Sequence, residues 1–127
     1  MSVENSILRN INSLIVKVKS KELVHNPSEL TTFISQLNEL KESLLQQYQS
    51  DAFILETIQG IPDLEFSEID AEKISKMKID KYFALFIFIE SFFVSDNYYK
   101  RHSKCLDNLP LIYSKLGSLQ MLVKNNY

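Results

Sequence analysis

Apolar residues recur along this chain at helical intervals. Val3, Ile7, Ile11, Leu14 and Val18 are separated by steps of four, four, three and four, with Leu8 and Ile15 alongside. That spacing puts one apolar stripe on a helix over roughly residues 3 to 22. Ser2 is placed to cap its start, and Lys17, Lys19 and Lys21 enrich its last turn, where positive charge suits the helix dipole. Asn26-Pro27-Ser28-Glu29 then reads as a second start: an N-cap, proline at the first helical position, and glutamate three residues after the cap. The stripe that follows is Leu30, Phe33, Leu37, Leu40 and Leu44, flanked by Ile34 and Tyr48. It is too short for a free coiled coil and suits an antiparallel hairpin with the first helix.

Ser50-Asp51 bends or re-caps the chain before Phe53, Ile54, Leu55 and Ile58. Gly60, expected in the left-handed conformation, and Pro62 stop that segment. After an acidic connection over 59–66, Ser67 or Asp70 starts a helix through Ile74 and Met77 that runs toward an aromatic segment. Ser95-Asp96-Asn97 marks a weak break, and 98–104 is polar, basic and without assigned shape. Leu109, Ile112, Tyr113, Leu116, Leu119 and Val123 form a last stripe, capped by Asp107 or Asn108 with Pro110 in its first turn. Gly117 costs that helix about 1 kcal/mol against alanine and is expected to mark a close packing contact.

The aromatic segment, residues 82 to 94, holds eleven apolar residues in thirteen, broken only by Glu90 and Ser91. With helices on every side, a strand here would lack pairing partners, so helix is expected. Its five phenylalanines are expected to serve mainly as core, with Phe92 and Phe93 left for a partner. The fold expected is therefore all-α: one compact domain over 1–127, a bundle of four to six helices with a hydrophobic central helix at about 80–95. The scarcity of turn formers, two glycines and three prolines, agrees.

Composition narrows the chemistry. Thirteen residues of helix span about 20 Å against a hydrocarbon core of about 30 Å, so no membrane span is expected. A single cysteine and no evident secretory signal favour an intracellular setting, cytoplasmic or nuclear. Charge is polarised: seven acidic and no basic residues from Asp51 to Glu72, then nine basic against four acidic from Lys73 onward, a balance of +5. The two segments either face each other or solvate different faces; alternatively, they steer charged partners.

No catalytic constellation stands out, and neither an enzyme nor a cofactor is expected. His102 and Cys105 make half a metal site that His25 and a carboxylate would have to complete, so no metal is expected. The chain reads best as a non-enzymatic protein–protein interaction subunit or adaptor of an intracellular complex. Asp63, Glu65, Glu68 and Asp70 are the candidate contacts for a basic partner, and Phe92 and Phe93 for an apolar one. The alternative is a nucleic-acid-associated domain, with Tyr98 and Tyr99 stacking on bases and Lys100, Arg101 and Lys104 neutralising phosphates.

Overall fold

A computed structural model describes residues 3–79, 81–90 and 98–125. Among them the chain is all-α. Six helices of two turns or more are joined by one single-turn helix: α1 (Val3–Lys19), α2 (Glu22–His25), α3 (Pro27–Gln47), α4 (Ala52–Gln59), α5 (Glu68–Ile79), α6 (Lys81–Glu90) and α7 (Tyr98–Asn125).

Local starts follow the residue chemistry. The Asn26 side chain accepts from the Ser28 amide at 3.1 Å, and Pro27 opens α3 without losing a helical bond. The Asp51 carboxylate takes the Phe53 and Ile54 amides, both at 3.1 Å, and so starts α4. The Ser67 hydroxyl accepts from the Asp70 amide while the Asp70 carboxylate accepts from the Ser67 amide, a reciprocal box at the start of α5.

The stripes then pair. Lys17 donates to Gln36, while Asn10 and Ser43 border the same groove, so α1 and α3 run antiparallel as the sequence predicts. Gln120 donates to Asn12, and the Lys19 ammonium lies 5.6 Å over the Tyr113 ring, which makes α1 and α7 antiparallel too. Buried residues at positions 105, 109, 112, 116, 119 and 123 of α7 alternate steps of four and three. They meet Ile7, Ile11 and Leu14 of α1 and the α3 row Leu30, Phe33, Leu37, Leu40 and Leu44 in one core. Tyr113 lies outside that row and is exposed.

Among the described side chains the core centres on α3 and α7. α6 exists as a helix and packs on α5, but the side chains of Tyr82, Leu85, Phe86, Phe88 and Ile89 are all exposed. Phe92, Phe93 and the break expected at 95–97 lie outside the described residues.

Three local expectations are corrected. α7 is one 28-residue helix, and Pro110 lies inside it rather than in its first turn. Pro110 is exposed, so solvent reaches the turn where the Leu106 carbonyl loses its helical donor. Gly60 has φ −79°, not the left-handed value. A Cβ there would stand 2.9 Å from Cε and Nζ of Lys115 in α7, the mobile end of a side chain that can move aside.

Gly117 reverses the expectation of close packing, since a Cβ there would meet nothing within 4 Å. Gly117→Ala should therefore raise stability by about 0.5–1 kcal/mol, because it lowers the backbone entropy lost on folding without a clash. A lowered urea midpoint would show that the space beside Gly117 is filled.

Candidate functional site

Two features of the surface differ from an ordinary solvated face. The first is α6. Tyr82, Leu85, Phe86 and Ile89 stand at i, i+3, i+4 and i+7, which places them on one side of a helix. Their exposure runs from 49% at Ile89 to 86% at Tyr82, and Phe88 beside them is 50% exposed. Scattered exposed apolar residues are normal, but a contiguous helical stripe of large ones is not.

The second is a cleft of about 340 Å³ between the 61–67 connection and the first half of α7, lined by Asp63, Glu65, Lys100, Arg101, Lys104 and Cys105 among others. Here the acidic and basic segments of the sequence face each other. The Arg101 guanidinium forks onto the Asp70 carboxylate, Nε to Oδ2 at 3.0 Å and Nη2 to Oδ1 at 2.8 Å. Asp70 is buried, and its carboxylate also caps α5. The Arg101 hydrogen bonds hold its pKa below the ordinary value against the opposing effect of burial, with further help from the Ser67 amide. Asp63 pairs with Lys41 at 3.0 Å but is highly exposed, so that bond contributes little.

The residues named from sequence divide accordingly. Asp70 and Arg101, assigned to two different partners, are partners of each other inside the protein. Tyr98 is buried, with the Lys73 ammonium 5.0 Å over its ring, and offers no open face for a base. Tyr99 is half-buried against the core. Asp63, Glu65, Glu68, Lys100 and Lys104 are exposed. The α6 stripe 82/85/86/89 was missed as a surface, although its i, i+3, i+4, i+7 spacing is legible within the apolar run.

Cys105 is buried and its thiol points at the Glu65 carbonyl, Sγ to O 3.9 Å. Burial pushes the thiol up to about 11, Asp70 and Glu65 add to that, and Lys104 opposes it. The thiolate needed for nucleophilic attack is therefore scarce at neutral pH. The His102 ring is occupied with Phe66, centroids 5.3 Å apart. Among the described residues no group of three or more histidine, cysteine, aspartate or glutamate side chains is arranged to hold a metal. At pH 8 the native thiol should react with a disulfide reagent roughly a hundredfold more slowly than the unfolded chain. Equal rates would mean that the cleft opens freely to Cys105.

Compared with protein-family models, curated proteins and solved structures, the chain matches none.

Proposed function

We propose that this protein is a non-enzymatic interaction subunit or adaptor of an intracellular multiprotein complex, and that it docks through α6. The observation that carries the reading is the exposed row Tyr82, Leu85, Phe86 and Ile89, which lies outside the core formed by the described residues of the other helices. Helices that present apolar anchors at i, i+3, i+4 and i+7 are a recurrent mode of protein recognition. Among the described residues no helix is long and apolar enough to cross a membrane.

The nucleic-acid reading has less support, because Arg101 is engaged by Asp70 and Tyr98 is covered. A photo-crosslinking amino acid at Tyr82 tests the preferred reading. It should yield one discrete protein adduct that survives high salt and disappears when Leu85→Glu is added. Salt-sensitive capture of nucleic acid, with no protein adduct, would replace this reading by the alternative.

A further inference from the structure

We infer that the occupant of the α6 face is a second copy of this chain, paired about a two-fold axis. The inference rests on the reading of α6 as a docking face and names its partner.

Area supports it first. Large aromatic side chains bury about 150–250 Å² each and aliphatic ones somewhat less, so the five exposed residues of α6, between 49% and 86% uncovered, offer up to about 500–700 Å² of mostly apolar surface. That reaches or exceeds the largest patch of a typical monomer, about 300–600 Å². Two such faces together bury up to about 1,000–1,400 Å², enough for a specific interface, which needs about 1,000 Å².

Self-complementarity supports it next. In a two-fold pair the same patch meets itself, so a patch carrying a charge must face that charge again. The described exposed side chains of α6 carry none: Tyr82, Leu85, Phe86, Phe88 and Ile89. Such a face can meet its own copy without setting like charges against each other.

Sedimentation equilibrium of the full chain from 1 to 100 µM tests the inference. The expected mass is twice the 14.8 kDa of one chain. Leu85→Glu should weaken association at least about 100-fold, because it places a charge where two apolar faces meet. Ile89→Ser, milder in effect, should weaken it without loss of helical signal. Phe53→Glu, at an equally exposed apolar site on α4, should leave the mass unchanged. A monomer throughout the range overturns the inference, as does a dimer indifferent to both α6 variants or disrupted by Phe53→Glu. If the chain is monomeric and the Tyr82 crosslink still captures a different protein, the docking face stands and the second copy is excluded. If it is monomeric and Leu85→Glu also unfolds it, α6 packs within its own chain and both readings fall.

Discussion

Phe33→Ala is expected to cost about 3–5 kcal/mol, because its ring is buried in the core and an alanine leaves a void that the surrounding helices close only in part. Phe33 is fully buried among rows from the neighbouring helices. Against a domain stability of about 5–15 kcal/mol this is a large fraction, and the melting temperature should fall by roughly 10–20 °C. Phe53→Ala supplies the comparison: the same residue type, 71% exposed, should shift stability by no more than about 0.5 kcal/mol. Urea titrations of the two variants decide the point. Similar losses from both would mean that the core does not centre on α3.

Removal of the Arg101 fork should be the second large effect. Arg101→Met leaves the Asp70 carboxylate buried, with the cap of α5 as its remaining support, and is expected to cost about 3 kcal/mol at neutral pH. Asp70→Asn together with Arg101→Met should cost less than Arg101→Met alone, since a neutral amide still accepts from the Ser67 amide without a buried charge.

The pH dependence has a definite sign. Asp70 titrates lower in the folded chain than in the unfolded one. Its contribution is therefore complete above the unfolded value, about pH 4, and is lost as pH falls through the folded value. In Arg101→Met the main cause of that lowering is gone while burial still opposes the charge, so protonation relieves the variant. The stability gap between wild type and Arg101→Met should narrow from pH 7 to pH 3. A constant gap would show that Arg101 acts by packing and not through the carboxylate.

The architecture was legible where periodicity and caps agreed. Asn26-Pro27, Asp51 and the rows of α1 and α3 each gave the same answer at both levels. The placement of the aromatic run was not legible, because hydrophobicity says that a segment prefers cover and not which chain provides it. Ile7, Phe33, Leu44, Ile112 and their neighbours make up the described core, while Tyr82, Leu85, Phe86, Phe88 and Ile89 of the run stand exposed. α7 shows a different kind of loss. Tyr98, Cys105 and Leu109 extend its stripe upstream, yet Pro110 reads locally as a helix start, and the packing of the stripe outweighs that signal. The meeting of Asp70 with Arg101, 31 residues apart, is tertiary information; polarised charge suggested that segments oppose, but not which side chains meet.

The antiparallel pairing of α1 with α7 carries a consequence for biosynthesis. α1 emerges ahead of α7, and about 80 residues must follow it before α7 begins to arrive to cover it. At about 5–20 residues per second, that is on the order of 4–16 s during which α1 lacks its final neighbour. α3 arrives much sooner and can shelter part of the α1 stripe, which leaves the flank facing α7 exposed to a growing crowd of nascent chains. Translation speed across the intervening stretch is therefore a determinant of yield, and slow codons placed there would lengthen the interval in which a chaperone has to stand in for α7.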